Sequence, residues 1–464
     1  MRFLSTRGRA PEIGFRAVVL SGLAYDGGLF MPKHWPRLAE AEIAAFGAMP
    51  FAEAAARVLT LYADDELGTA ELRAMATRAY APFNHPETAP LRALSPDTAL
   101  LELFHGPTLA FKDIAMRMLA ELYQWALDGA ARGKTILGAT SGDTGGAAVS
   151  AFAGVGACEV FMLHPKGRVS DVQRRMMTTT RAGNIFNIAV EGTFDDCQRI
   201  VKALFADERL NRHCDLGGVN SINWIRLAVQ STYFLTAAAK TDDSLSFVVP
   251  TGNFGDIFAG YAAKRFGANI SMLAASVNGN DIVRRAISTG VYAPEAVVAT
   301  TSPSMDIQVA SNFERLLYEA SGRDGVAIDA LMQRGSFEIP ATWRAKINAD
   351  FAAERSSEPE VLAMMRRRYE HDGLTIDPHT AVGLVAAEKL RASGRLTGKA
   401  VCLATAHPAK FPDAVEAATG ARPSLPPRLA LLMTDQERYD TAPADTGAIR
   451  AIIEAKSLFK ESLH

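Results

Sequence analysis

Lys134 to Gly146, KTILGATSGDTGG, runs from an apolar strand into a glycine-rich turn, and a small-residue helix follows from about Ala147. Ser141 and Thr144 supply hydroxyls, and a helix N-terminus presents unpaired N–H groups, a combination that binds carboxylate or phosphate. A capped helix packed tightly on a sheet is the plainer reading of the same residues. No Gly-Lys-Ser/Thr follows, so the turn is not a nucleoside-triphosphate loop. Two further junctions repeat the pattern: Leu245–Pro250 ends at Thr251-Gly-Asn-Phe-Gly-Asp, and Lys399–Ala404 ends at Thr405-Ala-His-Pro. Strands alternating with helices indicate an α/β fold, and ligands in such folds bind beyond the carboxyl ends of strands.

Composition narrows the setting. The chain has 464 residues, room for about three domain-sized units. Hydrophobic residues make up 48% and charged residues 22%, so large cores can form and the chain is not a disordered one. Lys+Arg number 49 against 51 Asp+Glu, a net charge of −2, which removes the electrostatic motive for binding nucleic acid. Cys158, Cys197, Cys214 and Cys402 are scattered, without metal-ligand spacing, and read as reduced thiols. The start has no apolar signal core, GFRAVVL (Gly14–Leu20) reads as strand-like, and no apolar run spans a bilayer. The expected setting is cytoplasmic, without membrane or nucleic-acid partners.

Outward from the central turns, Glu40–Leu61 and Thr69–Tyr80 carry apolar residues at helical spacing. Pro82, Pro86, Pro90 and Pro96 mark a boundary near 82–98. The stretch 285–375 reads as helix and loop, and 421–464 begins with PSLPPR and ends as an amphipathic tail.

Four segments add chemistry. In HGPTLAFKD (His105–Asp113), Gly-Pro forces a turn and Ile114, Met118, Leu122 and Trp125 recur at helical spacing. Lys112 therefore stands at a helix N-terminus, where positive potential and burial favour a neutral, nucleophilic amine suited to imine chemistry; an ordinary solvated lysine is the plainer reading. GNFGD (Gly252–Asp256) suits an anion held by backbone amides, or is a simple strand-to-helix turn. GGVNSINWIR (Gly217–Arg226) places Ser221 or Asn223 as a helix cap and Arg226 in the first turn, a position better suited to a cation when an anion is bound there too. TAHPAKF (Thr405–Phe411) puts a hydroxyl and an imidazole at a strand end. No zinc-protease, serine-hydrolase or EF-hand signature is present.

Taken in order, YDGGLFMP (Tyr25–Pro32), HGPTLAFKD, ATSGDTGG, NSINW, GNFGD and TAHPAKF resemble the threonine synthase family, in its longer form. The resemblance implies the tryptophan-synthase β-like architecture (fold type II), with two open twisted sheets flanked by helices and a mainly helical N-terminal region. It implies a helical region over 1–97, a cofactor-binding α/β domain over 98–129 and 215–464, and a smaller mobile α/β domain over 130–214. It also implies pyridoxal 5'-phosphate, held covalently by Lys112, which would also serve as the base. Gly252, Asn253, Phe254, Gly255 and Asp256 would cradle the cofactor phosphate, and Thr405 would meet the pyridine nitrogen. Asp143 would lie near the ring hydroxyl, where it must be protonated or held aside to avoid repelling a phenolate. Ser141 and Thr144 would hold the substrate carboxylate, and Ser221, Asn223 and Arg226 the substrate phosphate. The implied substrate is O-phospho-L-homoserine, converted with water to L-threonine and phosphate. A serine/threonine dehydratase of the same fold, or a non-catalytic phosphoester-binding relative, remains the alternative; monomer and homo-oligomer stay open.

Overall fold

The computed structural model describes residues 1–459; positions 460–464 of the expected C-terminal unit lie outside the described residues. The chain opens with a short antiparallel pair, β1 (Phe3–Ser5) and β2 (Phe30–Pro32). The antiparallel pair β3 (Leu91–Ser95) and β4 (Thr98–Glu102) begins a large sheet. A second sheet takes β5 (Lys134–Ala139), β6 (Cys158–Pro165), β7 (Ile185–Glu191) and the two-residue β8 (Leu216–Gly217). The chain then returns to the first sheet with β9 (Leu245–Pro250) and β10 (Ile270–Val277). After a small pair, β11 (Val291–Tyr292) and β12 (Phe337–Glu338), come β13 (Phe351–Arg355) and β14 (Ala400–Ala404); β15 (Asp440–Pro443) crosses back. The large sheet runs β13-β10-β9-β14-β4-β3, parallel except for β3, and the other runs β15-β7-β6-β5-β8, parallel throughout. Burial on both faces suits parallel sheets, and every residue of β6, β9 and β14 is buried.

The helix Trp224–Ala238 is buried along its whole length, because the N-terminal region covers it. Trp224 meets Tyr62 at 5.8 Å and Trp35 at 5.9 Å between ring centroids. Such all-round apolar contact is the mark of a helix enclosed between layers.

Several expectations change on contact with the structure. GFRAVVL forms a helix, Phe15–Leu20, and not a strand. Phe15, Val18 and Val19 are buried at helical spacing, and the Glu66 carboxylate, distant in sequence, accepts the first N–H groups from Phe15 at 2.6 Å and Arg16 at 2.9 Å. The segment 40–61 divides into Glu40–Ala45 and Phe51–Ala63, with Pro50 at the second N-terminus. The boundary at 97/98 falls inside the β3–β4 hairpin, so 91–95 belongs to the large sheet. The region 285–375 contains β13, an edge strand of that sheet. The tail assigned to the cofactor domain instead sends β15 onto β7 of the second sheet, and the helix Thr446–Lys456 buries Ile449 and Ile453 in that sheet's apolar cluster.

Candidate active site

Three neighbouring strands, β9, β14 and β4, deliver three of the quoted turns to one end of the large sheet, while β5 delivers ATSGDTGG from the other. The turn after β4 leads into the helix Lys112–Ala126, whose first residue is Lys112. The turn after β14 is laced to it: Phe111 N–H donates to the Thr405 carbonyl at 2.9 Å and His407 N–H to that of Leu109 at 3.0 Å. Thr405 is thereby fixed beside Lys112. Thr108 N–H and its hydroxyl donate to Asp113 at 2.8 and 2.5 Å, which closes the HGPTLAFKD turn.

Lys112 is buried, and its Nζ lies 3.3 Å from Asp143 Oδ2. Burial depresses the amine's basicity; Asp143 opposes this, Lys410 and Arg226 reinforce it, and the balance stays below the ordinary lysine value. Asp143 opens the helix Asp143–Phe152. Its Oδ1 accepts from Lys410 Nζ at 2.6 Å and Gln173 Nε2 at 2.9 Å, and its Oδ2 from Lys112 and from Ser304 Oγ at 3.2 Å. Burial alone would raise this acid, but Lys410 and Lys112 outweigh it and hold the carboxyl well below the carboxylate range. The carboxylate is thus held aside by its partners, with both oxygens engaged. Gly142, at φ 141°, lets Gln173 approach; a Cβ there would lie 2.5 Å from the Gln173 amide.

The GNFGD turn is a strained strand-to-helix junction. Phe254 holds a left-handed φ of 63° as the cap of the helix Gly255–Phe266, at a cost of about 1–2 kcal/mol. Packing against Phe313 and Phe351, at 5.1 and 5.6 Å, compensates. Asn312 secures the turn from outside, donating to the Asn253 carbonyl from its backbone and its side chain, both at 3.0 Å. A Cβ on Gly252 would lie 2.9 Å from the Ser304 carbonyl, so glycine is required where the two loops meet. Ser304 N–H in turn donates to His379 Nε2 at 3.3 Å, and His379 Nδ1 faces Asp377 at 2.7 Å.

Asp256, in the helix's first turn, accepts from the Tyr233 hydroxyl while its Oδ2 is buried without a partner. Burial pushes its carboxyl up to about 7 despite Tyr233, Lys112 and Arg226. Arg226 is buried too, donates to the Val219 carbonyl at 3.0 Å, and leaves Nε unpaired; burial lowers it to about 10. A buried cation with an unpartnered Nε and no closely paired carboxylate is a poor arrangement without an anion and a good one with it.

The remaining expected residues separate. Ser141 and Thr144 are half-exposed on the β5 turn. Ser221 lies against the GNFGD turn, its Cβ 3.6 Å from where a Cβ on Gly255 would stand. Asn223 is fully occupied as a helix cap: Oδ1 accepts from Ile225 N–H at 2.9 Å, and Nδ2 donates to the Val19 and Ser21 carbonyls at 2.8 and 3.0 Å. It has no free group for a substrate. Sequence reading passed over Lys410, Gln173, Ser304 and His379. Lys410 was inside a quoted motif, between Pro408 and Phe411; His379 stands two residues after the capping Asp377; Gln173 and Ser304 carry no local signal.

The donor set fits pyridoxal phosphate: a buried amine of lowered basicity, a hydroxyl on Thr405, and an amide turn near a buried guanidinium whose Nε has no partner. Comparison with known proteins agrees. Residues 2–80 match the model described as threonine synthase N terminus, 90–332 that of pyridoxal-phosphate dependent enzymes, and 380–453 that of threonine synthase, C-terminal. A threonine synthase of Pseudomonas aeruginosa is 42% identical over 461 residues, 98% of each chain. The crystal structure of PLP-bound threonine synthase from Brucella melitensis superposes with a TM-score of 0.95 at 44% identity, covering 99% of this chain and 100% of that one. That of threonine synthase from yeast gives 0.91 at 36%, covering 98% of both.

Proposed function

The chain belongs to the threonine synthase family, and on that premise we propose that this site converts O-phospho-L-homoserine and water into L-threonine and inorganic phosphate, with pyridoxal phosphate attached to Lys112. The observation that carries the reading is the buried Lys112 amine, enclosed by the turns of three adjacent strands and facing a fourth from the second sheet. When bound, pyridoxal phosphate supplies an electron sink that makes protons at the substrate's Cα and Cβ removable. Lys112 would hold it, Thr405 would offer a neutral hydroxyl to the pyridine nitrogen, and the amides of Gly252 to Asp256 would take the phosphate. Ser221 and Arg226 stand on this side of the site, so we assign them to the cofactor phosphate in place of the substrate's.

The chain's own residues then divide the work. Ser141 and Thr144, half-exposed on the β5 turn, receive the substrate carboxylate. Lys112, once its amine is free, takes the Cα proton and then one from Cβ. Phosphate departs from Cγ, the two protons removed return to Cγ and Cα, and water gives its hydroxyl to Cβ and its remaining proton to the departed phosphate, so that substrate plus water gives threonine plus phosphate. Because the carboxylate turn and the amine come from different sheets yet pack together, with Asp143 3.3 Å from Lys112, their contact would keep bulk water from the reacting carbons.

Four free, buried cysteines support a reducing, cytoplasmic setting. No helix among the described residues is long and apolar enough to cross a membrane. Incubation with O-phospho-L-homoserine tests the reading: stoichiometric threonine and phosphate are expected. Activity confined to deamination of serine or threonine would replace it with the dehydratase reading, and cofactor binding without turnover with the non-catalytic one.

A further inference from the structure

Lys410 is among the most deeply buried charged groups of the chain, 1% exposed. An ammonium withdrawn from water is costly unless its partners are close and charged, and a methionine of similar length would fill the space without that cost. Lys410 Nζ has two partners: Asp143 Oδ1 at 2.6 Å and the Thr108 carbonyl at 2.8 Å. The first belongs to the turn after β5 in the second sheet; the second belongs to the turn that presents Lys112. The shorter of the two ion pairs at Asp143 is therefore with Lys410, and Lys112 takes the other oxygen at a longer 3.3 Å. One carboxylate stands between two amines, and its remaining acceptor positions are filled by Gln173 and Ser304.

The arithmetic of charge follows. With Asp143 ionised and both lysines protonated, the cluster holds one positive charge too many in a buried space, and Arg226 adds a further cation. The excess is relieved by losing one proton. Lys410 holds Asp143 by the closer contact and is anchored by a carbonyl besides, whereas Lys112 has one long contact to the carboxylate. Without Lys410 the balance reverses: Asp143 would have Lys112 as its sole close cation and would hold that proton in place. Other charges around the pair are Asp256 and Arg226 beside Lys112, His379 beside Asp143 and Asp113 beside Lys410.

We propose that Lys410 is a positioning residue for the reaction: as the standing counter-ion of Asp143, closer to it than Lys112 is, it leaves the Lys112 amine less tightly held by the carboxylate and more readily available as a nucleophile. The role extends the reading of Lys112 as the attachment point, and rests on it. It also accounts for an aspartate at the cofactor ring, since the negative charge is already matched before any ligand enters.

The test is made on the cofactor-free full chain, by competitive acetylation of Lys112 from acid to alkaline pH with peptide mass mapping. Lys410→Met is expected to move the titration midpoint of the Lys112 amine up by about 1–2 pH units, while Lys410→Arg, which keeps the cation, leaves it within about half a unit. Asp143→Asn combined with Lys410→Met is expected to bring the midpoint back to the wild-type value or lower, because both charges are gone. A purely structural role for Lys410 would not produce the rise in the single variant, and the recovery assigns that rise to the unmatched Asp143 carboxylate. An unchanged midpoint in folded Lys410→Met overturns the proposal, as does a double variant that stays as high as the single one. Should Lys410→Met not fold, Lys410→Gln is read by the same criteria. The underlying reading fails separately, if borohydride fixes the cofactor at a residue other than Lys112.

Discussion

Asp256 shows how much a single side chain's surroundings decide. Its carboxyl titrates near 7 in the folded chain and near 4 in an unfolded one, so the folded state favours the protonated form. Stability from this group is complete below about pH 4 and is lost as pH rises through 7. Asp256→Asn removes the titration, and the fall in unfolding free energy between pH 5 and pH 8 is expected to shrink by about 2 kcal/mol, roughly half the full linkage value. Urea unfolding at the two pH values measures it; equal falls in both proteins would show that the carboxyl is not held protonated. At this scale the sequence was partly legible. Lys112, Thr405 and the GNFGD turn were visible because a turn, a helix start and an apolar strand are local signals. The state of Asp143 was not, because its partners Gln173, Ser304 and Lys410 come from three separate parts of the chain. Asn223 was misread for the same reason: its cap was legible, but not the Val19 and Ser21 carbonyls that occupy its amide.

Among the elements, the proposed chemistry sits on the strand-to-helix turns, and Gly252 is where one of them meets the Ser304 loop. Gly252→Ala would place a Cβ 2.9 Å from the Ser304 carbonyl, so one loop must give way. Affinity for pyridoxal phosphate is expected to fall about tenfold, which corresponds to about 1.4 kcal/mol, with much less effect on pyridoxal, which lacks the phosphate. Equilibrium dialysis with both ligands distinguishes a damaged phosphate cradle from general loosening; equal losses would contradict the assignment. Elements were easiest to read where apolar strands met glycine-rich turns, as at β5, β9 and β14. They were hardest where tertiary contacts decided the outcome. Phe15–Leu20 is apolar enough for a strand, yet Glu66 caps it as a helix from fifty residues away.

Across the whole molecule, the C-terminal segment ties the two sheets together. After the helix Pro412–Thr419 it passes the HGPTLAFKD turn, where Arg428 donates to the Gly106 carbonyl at 2.6 Å, and Leu432 packs with Leu109, Val172 and Met176. Glu437 then accepts from Arg174 at 2.7 and 3.1 Å and from Thr178 at 2.7 Å, before β15 joins β7. Glu437→Ala is expected to cost about 1–2 kcal/mol, since the pair is partly exposed and screened; an unchanged urea midpoint would show that the strap bears no load. The α/β class was readable from alternation of strand and helix, and the two sheets came only with the family resemblance. That the tail crosses back was not, because β15 is four residues long and has no pattern of its own.

The central claim is that the buried amine at the start of the helix Lys112–Ala126 carries the cofactor. Reduction of the pyridoxal-phosphate-loaded protein with borohydride, followed by digestion and peptide mass mapping, tests it most directly. The account predicts one pyridoxyl-phosphate adduct per chain, on Lys112, and none on Lys410 or in Lys112→Ala. An adduct on Lys410, or no adduct on fully loaded protein, would contradict it.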